Sequence, residues 1–528
     1  NEYSINSKSK VLIMKIKVSD YITKLLVKNG ISHVFGMSGG AAVHMFDSIS
    51  KNKKINIISM TNEQFAAMAA DGYARTTGKL GVAISTSGPG VTNLLTGTCC
   101  SFYDSIPTLM LTGQVSTNRQ RQSKNLRQLG FQETDTLAIF KSISKFCEKI
   151  NHVNEIKFIL EKAIYLAFDN RHGPVVVEIP DDIQRSYVET ENLKSFKPKL
   201  DFKPKLKPEV FNKIIDCIND SEKPVIVLGN GLKTPKINQN LKIVLNYLKL
   251  PILTSWAGLD LVENKNPFNF GTFGVYGNRC GNFIIQNSDL LIVLGCRLSQ
   301  NVTGSLYKSF AKKAKIILVD IDDAELKKFN TLGVKIFKKI HSPLNKFINE
   351  FKSHLNKKKI KSFDNWINLI GLWKNKLEEK SNKEIILKKK YVNIQNFVKS
   401  LSDNIKPNSD IFVDTGGNLT WTCNNFKIKK GQQIHSAWNY TPMGYSLPAC
   451  IGAAFVNNKR NICIIGDGGL MLCMGELATV SKNKMDIKIF LFNNFGHGIQ
   501  RQTINTWLKG HLVGVDRKSG LAFPKNWS

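Results

Sequence analysis

The chain has 528 residues, 42% hydrophobic and 22% charged, which excludes intrinsic disorder and leaves room for about three domains. Its formal charge of +33 comes from lysines scattered over helix faces and linkers with no recognition motif beside them, so nucleic-acid binding is not expected. No apolar run nears the roughly 20 residues that a membrane helix needs, and Val11-Leu12-Ile13-Met14 is too short for a secretory signal.

Residues 1–13 are expected to be upstream sequence or a tag, with the native start at Met14. Residues 14–185 then alternate helix and strand. A helix over Asp20–Lys28, apolar at 22, 25 and 26, stops at Gly30, and short strands follow near 31–35, 55–59, 80–85, 108–112 and 174–179. This block contains a glycine loop with Gly39 and Gly40, Glu63 where a helix begins, Asp71-Gly72-Tyr73-Ala74-Arg75, Thr86-Ser87-Gly88-Pro89-Gly90-Val91-Thr92-Asn93, and Phe131-Gln132-Glu133. Residues 186–210 read as a linker, with Lys and Pro alternating at 197–208.

A second α/β block spans 211–345, with strands at Pro224–Leu228, Asp289–Leu294 and Lys315–Val319. Gly229-Asn230-Gly231, Gly295-Cys296-Arg297 and Asp320-Ile321-Asp322 end those strands, an arrangement that suits a dinucleotide in principle. A lysine-rich, helix-prone connection occupies 346–390 and includes the runs at 356–361 and 388–390.

The third block, 391–528, places Asp414-Thr415-Gly416-Gly417-Asn418 after one strand and Met443 ahead of an apolar helix. Residues 461–465 and 487–492 read as buried strands joined by a helix over 470–482, a unit whose two strands lie parallel and adjacent. Gly466-Asp467-Gly468-Gly469 and Asn493-Asn494 therefore leave the same carboxyl edge. Asp467 and Asn494 would supply hard oxygen ligands there, beside glycines that admit a phosphate, which suits a Mg²⁺ ion clamping a diphosphate. The expected class is α/β, with three doubly wound, mostly parallel sheets. Only about one more helix fits after Asn494, so the chain is expected to be C-terminally incomplete. Ten cysteines without a CxxC pair, and nine histidines without a ligand pair, point to buried free thiols in a reducing cytoplasm.

The ordered succession of glycine loop, glutamate, GYAR, TSGPG, FQE, central block and GDG…NN resembles the thiamine-diphosphate (ThDP) enzymes of the acetolactate synthase kind over nearly the whole chain. The resemblance implies a pyrimidine-binding domain (14–185), a central domain (211–345) and a diphosphate-binding domain (391–528). It implies that Glu63 hydrogen-bonds N1′ of the aminopyrimidine and favours the tautomer that takes the proton from C2, leaving the hard step to the coenzyme. Met443 becomes the bulky residue beneath the bent coenzyme, and Gly416, Gly417 and Asn418 cradle its diphosphate. The main-chain oxygen of Gly496 joins Asp467 and Asn494 on Mg²⁺, while Phe131 and Gln132 flank the channel to C2.

Departures from that pattern bear on the substrate. Gly417 and Asn418 stand where acetolactate synthases carry glutamine and histidine, and Thr503 stands where they carry a tryptophan that selects the second keto acid. The stretch from Gln114 to Phe131 is longer and contains Arg119, Arg121 and Arg127, which are either a solvated face or a seat for an acidic acceptor. FAD stays open, because flavin-binding relatives have a second arginine where Asn301 sits. The implied reaction decarboxylates a 2-keto acid, pyruvate first among them, and joins the fragment to a second carbonyl compound. The alternatives are a simple decarboxylase or a carboligase with a sugar-like acceptor. The implied partners are a second copy, in a homodimer or homotetramer whose active sites lie between chains, and a small regulatory subunit.

Overall fold

The computed structural model describes residues 3–4, 13–123, 125–198, 206–233, 237–355, 358–384, 391–456 and 459–524. Most of the expected upstream segment lies outside these residues. So do 199–205 of the linker, the lysine run at 388–390 and the last four residues. Two compact units are present. One comprises Asn1–Leu200, Asp410–Gly416 and His435–Ser528, the other Asp201–Ser409 and Gly417–Ile434.

In the first unit a six-stranded sheet runs in the spatial order Asn56–Ser59, His33–Gly36, Gly81–Ser85, Thr108–Gln114, Val175–Pro180 and Phe146–Lys149. Every pairing is parallel. Its central strands are buried on both faces, which is why Val175–Pro180 reads as a nearly unbroken apolar run. The strand at 146–149 carries Glu148 and Lys149 and is only half-buried, so its periodicity gives no strand signal. The expected linker is partly structured: Tyr187–Glu189 pairs antiparallel with Ile13–Lys17. Three residues of mixed polarity are too few to show in sequence as a strand.

A second sheet in this region runs Gln433–His435, Ser409–Val413, Arg460–Gly466, Ile487–Phe492. The last two strands are parallel and in register from Asn461↔Ile487 to Gly466↔Phe492, as the strand–helix–strand reading required. The expected single helix over 470–482 is two, Asp467–Cys473 and Glu476–Lys482, and the first starts at the aspartate itself.

Two helices join these layers. Glu63–Thr77 is capped by Asn62, whose side chain accepts from Gln64 N, and ends at Gly78 in the left-handed conformation (φ 69°). Its alanine-rich face lies on the apolar helix Ser446–Ala454. A Cβ on Gly72 would sit 2.1 Å from the Ala449 carbonyl oxygen, and one on Gly452 would sit 1.9 Å from that of Ala69. Glycine is the residue that lets the two backbones touch. Because 72 faces 449 and 69 faces 452, the helices run antiparallel.

The second unit has one six-stranded parallel sheet in the order Asn269–Thr272, Ile252–Thr254, Pro224–Leu228, Leu290–Leu294, Lys315–Asp320, Lys338–His341. The three strands expected from sequence are its centre. The outer three are shorter or more polar, so they escape a periodicity reading. The helices Leu344–Leu355 and Asp364–Glu384 lie in the stretch expected to be helix-prone.

Candidate active site

The first group of residues gathers at the carboxyl edge of the six-stranded sheet in the first unit. Glu63 is the first residue of its helix and is 5% exposed. Asn93 Nδ2 donates to its Oε2 at 2.9 Å, while Oε1 accepts no hydrogen bond among the described residues. A Cβ on Gly90 would lie 3.0 Å from that free Oε1 and 2.9 Å from Thr86 Cγ2. Thr86 also backs the glycine loop: its Cβ would be 2.6 Å from a Cβ on Gly39, and its Oγ1 accepts from Ala41 N at 3.2 Å. Gly40 faces open space. Gly88 would meet Gln132 Cβ at 2.9 Å, so Gln132 joins the group, and the neighbouring Phe131 is 86% exposed. Glu63, Gly39, Gly40, Phe131 and Gln132 are thus assembled around one turn, Thr86–Gly90. The buried carboxyl has one oxygen held and one offered.

The long loop before Phe131 is folded by its own acids. Glu133 accepts backbone N–H groups of Arg121, Leu129 and Gly130 at 2.8, 2.9 and 3.2 Å. Arg121 pairs with Asp135 at 2.7 Å, leaving Arg119 and Arg127 as the exposed cations among the described residues of the loop. Under the loop is a polar cavity of about 230 Å³ lined by Gln114, Lys149 and Glu178 among others. Burial pushes the Glu178 carboxyl up to about 7.

The second group forms at the end of the parallel pair Arg460–Gly466 and Ile487–Phe492. Asp467 is 2% exposed. Its Oδ1 accepts from Gly468 N (2.9 Å), and its Oδ2 from Asn494 N (3.2 Å) and Gly496 N (3.1 Å). The backbone N–H groups of the other two expected metal ligands, Asn494 and Gly496, therefore both meet the Asp467 carboxylate. Asn493 caps the same turn, accepting from Phe495 N, and Phe495 takes a left-handed φ of 55°. Met443 reaches in from the other side: a Cβ on Gly468 would be 2.8 Å from Met443 Cε. Asp414 holds the Met443 segment, accepting from Gly444 N (3.1 Å) and Ser446 N (2.9 Å), and burial pushes its carboxyl up to about 6. A Cβ on Gly469 would be 2.8 Å from Asp414 Oδ1. Gly416, two residues on, has φ 100°, and Gly417 and Asn418 open the helix Gly417–Asn425. Thr503 lies on the helix Gly498–Trp507, where its hydroxyl donates to the Ile499 carbonyl, so its proton is spent within the helix and its oxygen is left to accept.

The donor set fits a hard cation. Among the described residues no cluster of three or more His, Cys, Asp or Glu exists that would hold a softer metal. One carboxylate, one amide oxygen and one carbonyl leave the remaining octahedral positions to water and a diphosphate, the coordination Mg²⁺ prefers. Glu63 Oε1 fits a protonated ring nitrogen as its missing donor.

Glu63 and Met443 leave opposite ends of the antiparallel helix pair. From the 69/452 and 72/449 contacts, the helical rise separates Glu63 from Ser446, the first residue of the second helix, by roughly 18 Å along the axis. Consistently, the Glu63 end is tied to the far end of the Asp467 helix region, where Glu476 accepts from Thr61 N (2.9 Å) and Thr61 Oγ1 (2.7 Å).

Three family descriptions match in order: the N-terminal TPP binding domain of thiamine pyrophosphate enzymes at 16–139, their central domain at 211–347 and their C-terminal TPP binding domain at 414–526. The chain belongs to the thiamine pyrophosphate enzymes. Its similarity extends in particular to acetolactate synthase large subunits. It is 31% identical over 487 residues to that of Cyanidium caldarium, covering 90% of this chain and 81% of the relative. Against the probable large subunit of Methanocaldococcus jannaschii the figures are 32% over 504 residues, 93% and 82%. For the isozyme 1 large subunit of Escherichia coli they are 31% over 487 residues, 92% and 83%.

The sequence did not point to the partners of these residues. Asn93 was visible only as the end of a motif, although its spacing from Gly90 puts both on one helix face. Glu476 lies inside the helix expected over 470–482, with nothing local to mark it.

Proposed function

We propose that this chain is a Mg²⁺- and ThDP-dependent carboligase of the acetolactate synthase kind, acting on a 2-keto acid such as pyruvate. One observation carries the reading: a buried carboxyl with a free oxygen at Glu63, and a hard-ligand corner at Asp467, in a chain of this family. When bound, ThDP supplies a nucleophilic carbon that takes up the keto acid, holds the electrons left when CO₂ departs, and passes the fragment to a second carbonyl.

The chain's residues do the rest. Asp467, Asn494 and the Gly496 carbonyl hold Mg²⁺, and N–H groups from Gly416 to Asn418 meet the diphosphate. Met443 supports the coenzyme from beneath, near Gly468. Glu63 Oε1 holds a proton at N1′, while Asn93 fixes the carboxyl's orientation. Gly39 and Gly40 allow close approach, and Phe131 and Gln132 line the substrate side.

The roughly 18 Å along the axis between Glu63 and Ser446, which start their helices at opposite ends of the pair, supports an active site shared between two copies, Glu63 from one and the Asp467 corner from the other. A homodimer is then the smallest complete enzyme. The large-subunit relatives favour a small regulatory subunit as a further partner. Ten free cysteines, all buried except the half-buried Cys147, support a reducing cytoplasm. No helix among the described residues is long and apolar enough to cross a membrane.

A second reading is favoured by the long loop with its exposed Arg119 and Arg127: a specialised, acidic or hydroxylated acceptor. FAD is not assigned a role. Asp320 and Asp322 accept from Asp322 N and Ala324 N, and Arg297 pairs with Glu325, so the strand-end residues are engaged within the unit.

Product analysis with pyruvate, Mg²⁺ and ThDP tests the reading. Acetolactate supports it, acetaldehyde alone indicates a decarboxylase, and turnover only with an added carbonyl compound indicates a specialised acceptor. Undiminished turnover in Glu63→Gln contradicts the mechanism.

A further inference from the structure

The segment Trp438–Tyr445, which carries Met443, is tied at both ends to buried carboxylates, Asp104 at the end of the helix Pro89–Asp104 and Asp71 on the helix Glu63–Thr77. At its start Asp104 accepts from Trp438 N (2.8 Å), Asn439 N (3.1 Å) and Asn439 Nδ2 (2.6 Å). At its end the Tyr445 hydroxyl donates to Asp71 Oδ1 at 2.5 Å. Burial pushes that phenol well above its usual value, so it stays a donor. Asp71 also accepts from Ser101 Oγ at 2.8 Å.

One side chain joins the two carboxylates. Arg75 Nε meets Asp71 Oδ1 at 2.5 Å and its Nη2 meets Asp104 Oδ2 at 2.8 Å. The Arg75 side chain is 4% exposed, and those of Asp71 and Asp104 are 0% and 1%. Two buried carboxylates this close repel unless a cation lies between them, and the planar fork of arginine can bond both, which the point charge of lysine does not reproduce.

The segment needs such ties. Thr441, a β-branched residue, has φ 51°, a left-handed conformation that persists only where surrounding contacts hold it. Its N–H is spent on the Ala437 carbonyl at 2.9 Å.

We propose that Arg75 is a positioning residue for the reaction: by clamping Asp71 and Asp104 it fixes the strained segment that sets Met443 against Gly468. This rests on the reading of Met443 as the coenzyme's support. Neither Arg75 nor the two carboxylates belongs to the groups placed around coenzyme or metal, so their effect travels through the segment alone.

The test uses the Mg²⁺–ThDP holoenzyme and reads two quantities besides turnover: coenzyme affinity by calorimetry, and exchange of the coenzyme's C2 hydrogen with D₂O, read by NMR after acid quench. Arg75→Lys, Asn439→Ala and Tyr445→Phe are each expected to slow exchange and kcat together, by about tenfold to a hundredfold for Arg75→Lys and less for the others, with affinity within about threefold. Exchange unchanged in the saturated variants, or a loss confined to affinity, overturns the role of Arg75. Met443→Ala and Glu63→Gln are run beside them. If those slow exchange and the clamp variants do not, only the clamp fails; if those leave exchange untouched, the reading beneath it fails too. Should Arg75→Lys not fold, Asn439→Ala and Tyr445→Phe, each removing side-chain bonds at one tie, decide the matter.

Discussion

The Asp467 carboxylate accepts the backbone N–H of Asn494 at 3.2 Å, across 27 positions of sequence. That bond closes the loop after one strand onto the loop after its parallel neighbour, and a second bond from Gly496 N to the same oxygen gathers Asp467, Asn494 and Gly496 in one turn. The carboxyl group is buried and accepts from backbone donors, the N–H groups of Gly468, Asn494 and Gly496.

Asp467→Asn keeps the side-chain shape and removes the charge. Magnesium-dependent uptake of ThDP should weaken by at least the roughly hundredfold that even loss of an outer-shell partner can cost a metal site. Calorimetry with and without Mg²⁺ checks this, and an unchanged magnesium dependence would remove Asp467 from the ligand set.

Gly72→Ala places a methyl where the Ala449 carbonyl already stands. The helix pair must separate, at a cost of about 1–3 kcal/mol for an overpacked core. A clear fall in the melting temperature is expected. Gly371→Ala serves as the control, since a Cβ there meets nothing within 4 Å.

Glu178 gives a pH signature. Its folded value, raised from 4.5 to about 7 by burial, means that the native state keeps a proton the unfolded chain has lost. Stability contributed by this group is full below about 4.5 and falls as pH rises toward about 7. Glu178→Gln should flatten that fall, so the variant gains on the parent between pH 5 and 8 in urea unfolding. A parallel pH dependence in both proteins would contradict this.

Phe131 is 86% exposed and buries nothing that folding needs. Phe131→Ala should leave the melting temperature unchanged while raising KM for the acceptor severalfold, with a smaller effect on kcat. Steady-state kinetics with the acceptor varied reads this directly.

Much of the site was legible in the sequence because parallel strands place their ends together: reading 461–465 and 487–492 as neighbours was enough to bring Asp467 to Asn494. Glu63 was legible through its motif. What stayed hidden depends on crossings between elements far apart in sequence. Nothing local in Arg75, Asp104 or Tyr445 marks them as one network, and Gly72 and Gly452 look like helix-weakening residues until the two backbones are seen to touch. The strands at 146–149 and 187–189 were missed because half-buried edges carry polar residues.

The central claim, that Glu63 of one copy and the Asp467 corner of another serve the same coenzyme, is tested most directly by mixing two inactive variants. Glu63→Gln and Asp467→Ala protein, unfolded and refolded together or co-expressed, should regain up to about a quarter of parental turnover, because half the dimers are mixed and one of their two sites then carries both native residues. Mixtures as inactive as either variant alone, with mixed dimers shown to be present, would contradict the account.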